Sequence, residues 1–357
     1  MRDPRIAKVA EILVDYSTEV KEDEVVEICA SEGAKPLFLA VYGEVVRRNP
    51  KEVICDVRFD EIDEIFFQEA DDSQLDKFPS LKMYQTEHTD VWIGLRAHSN
   101  TRRLTSVDPR RVGRRDKVRW PIQRERVRNT RWVGTVFPTE AVAQEADMSL
   151  SEFEDFYYRS VDIDWRKLSR EQEEIRELFQ KGREVTIKAE DTDITMKIEG
   201  RTVVSDDGKV NMPDGEIFTT PLEDSVNGHI KYTYPAIYRG REVDGVELWF
   251  EDGEVVKAKA TKGEEFLLEM LAIDEGAKRL GELGIGNNFA IDRFVKHMLF
   301  DEKIGGTVHL ALGDSYEETG GKNESAIHWD MIKDLRYGGE IYLDGELIQK
   351  DGVWVYK

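Results

Sequence analysis

Val25-Val-Glu-Ile-Cys-Ala-Ser-Glu-Gly-Ala34-Lys-Pro-Leu-Phe-Leu-Ala-Val-Tyr42 decides the first half of the fold. Residues 25–29 form a short apolar strand, and the helical pattern of 34–48 follows it almost at once, leading to a second apolar strand at 53–57. A helical stretch at 6–16 precedes this unit, and another strand, 91–95, lies beyond a further helical stretch. That alternation predicts a largely parallel sheet with covering helices. The first strand-to-helix turn, Ala30-Ser-Glu-Gly-Ala-Lys35, lacks the Gly-rich phosphate fingerprint, so no nucleotide site is expected there.

Downstream the pattern changes twice. Residues 138–181 are helical, with Thr139 placed to begin one helix and Ser149 or Ser151, followed by Glu152 and Glu154, another. Gly182 then stops the last helix. Segments 185–188 and 194–198 alternate around Asp191-Thr-Asp193 as a β-hairpin, and the remainder is strand-rich with one helix over 264–280. A chain of 357 residues exceeds one comfortable core. The fold class expected is α/β plus α+β: an N-terminal α/β domain with a helical connector over 1–182, and a C-terminal strand-rich, metal-binding catalytic domain over 183–357.

With 51 basic against 73 acidic residues the net charge is −22, a field that disfavours nucleic acid as a partner. The plain reading of the acidity is solubility or adaptation to a salty cytoplasm. One stretch, 102–128, is locally basic (Arg110, Arg111, Arg114, Arg115 among others) but has Trp120 as its sole aromatic residue. It reads as a solvated helix face, or one pairing with acidic neighbours or a second subunit, in preference to an RNA patch. Cys29 and Cys55, both in apolar strands, are expected to be buried reduced thiols and too few for a cysteine metal site. No apolar run is long enough to span a membrane, and Met1-Arg-Asp-Pro has no signal-peptide core, which places the chain in the cytoplasm.

Chemistry concentrates in the last third. In Asn211-Met-Pro-Asp-Gly-Glu216-Ile-Phe-Thr-Thr-Pro221 a rigid turn delivers Glu216 to a β segment; a solvated turn glutamate is the plainer alternative. Glu282-Leu-Gly-Ile-Gly-Asn-Asn288 offers a carboxylate beside glycines that permit close backbone approach, though Glu282 also fits a helix end at the surface. Gly305-Gly-Thr-Val-His309-Leu-Ala-Leu-Gly-Asp-Ser-Tyr316 sets a histidine within an apolar strand, where a core role competes. In Ser325-Ala-Ile-His328-Trp-Asp330 the histidine and aspartate, two apart, project to one face of an extended chain. Only six histidines exist, and two stand beside glycine turns and carboxylates. Hard oxygens with imidazole nitrogens suit a pair of divalent cations.

Together these four segments resemble the aminopeptidase T family of two-metal thermophilic-type aminopeptidases, and the similarity extends upstream through Arg131-Trp-Val-Gly-Thr-Val-Phe-Pro-Thr-Glu140 and the helix at 148–158 to cover most of residues 130–357, with a weaker match to the amino half. The resemblance implies that Glu216, Glu282, His309, His328 and Asp330 bind two divalent metal ions per subunit, zinc or cobalt first, manganese or magnesium next. It also implies that Tyr316 faces the substrate, that short peptides are cleaved at their amino termini, and that the chain is a homodimer. Glu282 is the expected general base unless it is purely a ligand, and Tyr316 the donor to the developing oxyanion unless it is a rim aromatic. The short connection from Tyr316 to His328, and Asn287 where a smaller residue is expected, bear on pocket shape. A noncatalytic metal- or peptide-binding protein derived from such a hydrolase is the competing reading.

Overall fold

In the computed structural model, which describes residues 3–238 and 240–356, the chain forms two units. Met1 and Arg2 of the amino-terminal reading, with Arg239 and Lys357, lie outside the described residues. The first unit comprises Met1–Ile163 together with Gly208–Pro213. Its sheet contains β1 (Val25–Ser31), β2 (Glu52–Arg58), β3 (Val91–Arg96) and β4 (Arg131–Val136), in the order β2-β1-β3-β4, with Asn211–Met212 added beyond β4; all neighbours are parallel. Val26, Ile28, Val91 and Ile93 are fully buried, as central parallel strands require. The helix Lys35–Val46 buries Leu37, Val41 and Val45, one stripe at four-residue spacing.

β2 is the sheet's edge, and its outward pattern leaves Cys55 exposed rather than buried as expected; Cys29 is half-buried, and both thiols are free. The basic stretch forms the helix Pro109–Asn129, capped by the Asp108 carboxylate. Arg111 and Arg114 pair with Asp72, Arg114 also with Asp76, and Arg126 stacks over Trp92. Arg111 and Arg114 thus pair with acidic neighbours, one of the alternatives expected for this helix.

The second unit holds Asp164–Asp207 and Asp214–Lys357. The helix Trp165–Lys181 lies with it because Ile175 and Phe179 enter that unit's core, so the chain divides after Ile163, upstream of Gly182. An eight-stranded antiparallel sheet includes the hairpin Glu184–Ala189 and Thr192–Lys197. A second antiparallel sheet contains β5 (Val204–Asp206), β6 (Glu216–Thr219), β7 (Leu280–Gly286), β8 (Thr307–Gly313) and β9 (His328–Asp334), in the order β9-β8-β7-β6-β5. One core joins both sheets, from Val185 and Ile187 to Leu283, Leu310 and Trp329.

The helix expected over 264–280 is instead Glu264–Leu271. Asp274 then accepts the Ala277 and Ala326 amides and the Ser325 hydroxyl, and a side chain at Gly276 would strike the Glu324 carbonyl. The chain turns there and Leu280 begins β7, so Glu282 lies within a strand and not beyond a helix. Among the described residues no helix is long and apolar enough to cross a membrane. The parallel α/β sheet and the strand-rich antiparallel part together form the α/β plus α+β architecture expected from the sequence.

Candidate metal centre

Strand register gathers the chemistry on one face of the second sheet. In antiparallel neighbours, directly opposed residues share a face, as do residues two apart along a strand. Glu216 opposes Gly286, His309 opposes Gly284, Glu282 and Asp330 flank Ala311, and His328 opposes Gly313. Each polar side chain therefore faces glycine or alanine, which leaves room above the sheet. At Gly284 the space is fully used: a Cβ there would lie 1.9 Å from His309 Nε2.

The five residues expected from the sequence meet at this face. His309 Nε2 stands 3.3 Å from Glu216 Oε2 and 3.3 Å from Glu282 Oε1; His328 Nε2 stands 3.1 Å from Glu282 Oε2 and 3.5 Å from Asp330 Oδ2. Two clusters of potential ligand atoms result, Glu216–Glu282–His309 and Glu282–His328–Asp330, and Glu282 belongs to both. His328 Nδ1 donates to the Asp314 carbonyl at 2.8 Å, which fixes the ring and turns Nε2 toward the carboxylates.

All but His328 are buried, and Glu216 Oε2 and Asp330 Oδ1 accept no hydrogen bond among the described residues. Buried carboxylate oxygens left so are costly unless cations meet them. This donor set of hard oxygens and neutral imidazole fits divalent ions. In the chain by itself protons take that part. Burial alone would lower the histidines, but Glu282 and Glu216 push His309 up to about 9, and Asp330 and Glu282 push His328 up to about 12. Burial disfavours the Glu282 anion, yet the two imidazoles hold it down to about 2.

Tyr316 is 41% exposed, and its hydroxyl lies 3.5 Å from His328 Nε2 with its ring edge-on to Phe218. Desolvation and the carboxylates of Glu282 and Asp330 raise the phenol well above its usual range, so it remains a proton donor.

Sequence reasoning missed Lys303. It is 2% exposed, and its ammonium contacts Glu216 Oε1 at 2.9 Å and the Glu302 carboxylate. Asp206 and Asp214 extend the acidic cluster from Glu216. Nothing in Phe300-Asp-Glu-Lys303-Ile-Gly distinguishes a buried cation from a surface one. Its proximity to Gly305-Gly306 was the sole local hint. In the first unit, Glu27, Cys29 and Asp56 also cluster, but Lys82 lies 2.5 Å from Glu27 and supplies that group's positive charge.

A sequence model described as thermophilic metalloprotease (M29) matches residues 2–354. Aminopeptidase AmpS of Bacillus subtilis (strain 168) is 26% identical, covering 97% of each chain. Aminopeptidase 2 of Geobacillus stearothermophilus is 35% identical over 41% of this chain and 40% of its own. Among solved structures, wild-type AmpT from Thermus thermophilus superposes with a TM-score of 0.86 at 22% identity, covering 99% of both chains. A 2,5-dihydroxypyridine dioxygenase from Pseudomonas putida KT2440 shares the fold at a TM-score of 0.66 and 16% identity, covering 99% of this chain and 97% of its own. The same scaffold thus carries unlike chemistries, and the site must decide between them.

Proposed function

Because the chain belongs to the thermophilic metalloprotease (M29) family, we propose that it is a metalloaminopeptidase that releases amino-terminal residues from short peptides. The observation that carries this reading is the pair of ligand clusters sharing Glu282. We assign one divalent ion to Glu216, Glu282 and His309 and a second to Glu282, His328 and Asp330, with zinc or cobalt suited to the imidazole content. When bound, such ions bring a water near neutrality and polarise the scissile carbonyl.

The remaining roles fall to side chains. Both Glu282 oxygens face imidazoles, one each, and Glu282 belongs to both clusters, so it would serve as a ligand more readily than as a general base. Glu302, half-buried against Lys303 and outside both ligand clusters, carries a carboxyl that desolvation raises to about 8 in the metal-free chain, and we assign it the proton-holding role during turnover. Tyr316 offers its hydroxyl proton to the oxyanion. A substrate's free amino terminus is a cation, and this acidic setting attracts it where an internal peptide bond has nothing comparable to present. A homodimer accords with the apolar Leu39, Val46, Val57, Phe59 and Ile62 exposed on the first unit, and the free thiols accord with a reducing cytoplasm.

Chelator-stripped protein reloaded with cobalt, zinc, manganese or magnesium should hydrolyse aminoacyl-nitroanilides, and Glu282→Gln should lose both ions and turnover. Tight metal binding without hydrolysis of any substrate would instead favour the noncatalytic binding protein.

A further inference from the structure

Unlike the five assigned ligands, which stand on strands, Tyr316 rides on the loop that joins β8 to β9. Residues 314–322 of that loop are largely exposed, yet Thr319 among them is 0% exposed. The Tyr316 hydroxyl reaches His328 Nε2 at 3.5 Å, the outer limit of a hydrogen bond, which fixes little. The phenol's position must therefore come from the backbone beneath it.

That backbone is tied on both sides of Tyr316. Upstream, Asp314 lies against Gly281, the residue before Glu282: a Cβ at Gly281 would stand 2.1 Å from the Asp314 carbonyl oxygen, and the same oxygen accepts His328 Nδ1 at 2.8 Å. The register of β7 against β8 shifts between Leu280 and Glu282, so Gly281 sits in a bulge, a device that re-aims side chains beside reactive centres. Downstream, the Thr319 hydroxyl reaches the Tyr316 carbonyl at 2.7 Å and the Thr220 hydroxyl at 2.6 Å, and Thr220 in turn reaches the Gly281 carbonyl at 2.7 Å. Two hydroxyl protons are shared over these three contacts. Both anchors thus close on Gly281. Thr220 also lies two residues beyond Phe218, whose ring meets Tyr316 edge-on.

A clamp holds the loop's return. Arg201, 6% exposed, donates to the Gly320 carbonyl, and its Nη2 lies 2.6 Å from each Glu223 oxygen. Glu223 Oε1 also accepts the Lys322 amide at 2.8 Å, and the Thr202 amide donates to the Thr319 carbonyl at 3.0 Å. A buried ion pair adds little net stability over apolar side chains of equal volume, so its contribution here is geometric.

We propose that the Thr220–Thr319 hydroxyl pair is a latch that positions the Tyr316 phenol for its hydrogen bond to the oxyanion, with Arg201 and Glu223 fixing where the loop returns. The inference rests on the aminopeptidase reading and on Tyr316 as its proton donor. Thr220, Thr319 and Arg201 act through Tyr316, as positioning residues.

The test is a double-mutant cycle read in kcat on leucyl-nitroanilide with metal-loaded protein. Tyr316→Phe should lower kcat about 100-fold, the scale of one oxyanion donor. Thr319→Val, which removes the hydroxyl, should lower kcat about tenfold or more through misplacement, with KM and metal content unchanged. Thr319→Ser keeps the hydroxyl and should restore most of that loss. In Tyr316→Phe protein, Thr319→Val should have no further effect, because the group it positions is gone; a merely structural threonine would multiply the two losses. Thr220→Val should repeat the pattern and replaces Thr319→Val if that variant fails to fold. Multiplied losses, or wild-type kcat in both valine variants or in Tyr316→Phe, would overturn the proposal while leaving the peptidase reading intact. If wild type cleaves no anilide, that reading fails, and the latch is read from the fluorine resonance of Tyr316 in 3-fluorotyrosine-labelled protein, identified by its loss in Tyr316→Phe. A resonance moved by Thr319→Val and restored by Thr319→Ser supports the latch, and one unmoved by Thr319→Val overturns it.

Discussion

Replacing Gly284 by alanine adds one carbon at the most crowded point of the centre. The new Cβ would stand 1.9 Å from His309 Nε2, 2.1 Å from Cε1 and 2.7 Å from Cδ2, whereas ordinary contact begins at 3.4 Å. Gly284 is not among the positive-φ glycines, so alanine suits the strand backbone and the conflict falls on the imidazole. The ring must retreat by about 1.5 Å, against a metal–ligand tolerance of about 0.2 Å. Disturbing mere supporting contacts of a ligand costs about 10–100-fold in metal affinity. Gly284→Ala should lose at least that at the ion shared by Glu216, Glu282 and His309, while the ion at His328 and Asp330 is less affected. On the two-ion assignment proposed above, metal per chain after exhaustive dialysis, read by mass spectrometry, would fall by about one ion, with turnover falling in parallel. Circular dichroism would verify the fold. Gly134→Ala, where a Cβ meets nothing within 4 Å, serves as control. Wild-type metal content and turnover in folded Gly284→Ala would refute the assignment of His309 Nε2 to an ion.

Two further predictions concern charge. Lys303→Met removes the buried counter-charge of Glu216 and Glu302, a change that costs about 3–5 kcal/mol when a buried pair is broken; its thermal destabilisation should be larger in chelator than with divalent ions, and equal losses in both conditions would contradict the reasoning. In the metal-free chain the folded state raises His309 to about 9 and His328 to about 12, so their ion pairs stabilise fully below an unfolded value of about 6.5. The His309 share is lost as pH rises through about 9, while metal affinity gains as these protons leave. Thermal melts in chelator from about pH 6 to 10 should therefore decline, and a flat or rising profile would rule out protonated imidazoles.

Much of this is legible in the amino-acid sequence alone. A central parallel strand needs apolar residues toward both covered faces, so 25–29 announced itself, and 53–57 was legible as a strand from its β-branched residues although it lies at the sheet's edge. His328 and Asp330 were readable as a pair because strand periodicity is local. Glu282 was harder. Leu267, Leu271 and Leu280 mimic helical spacing, and only Asp274 bonding to the 325–326 segment, a long-range contact, shows where the helix must stop. Cys55 looked buried because its apolar neighbours give no sign that β2 is an edge. Lys303, Asp206 and Asp214 were invisible for a related reason: a charged side chain reads alike in sequence whether it faces water or three carboxylates.

The excursion of residues 208–213 into the first unit, immediately before Glu216, has a practical consequence. The polypeptide is stitched rather than beaded, passing from one unit to the other at Ile163, at Asp207 and again at Pro213. Cutting at Ile163 would leave the amino-terminal fragment without its outermost strand and hand the carboxy-terminal fragment an orphaned edge strand. Neither half is a natural expression unit.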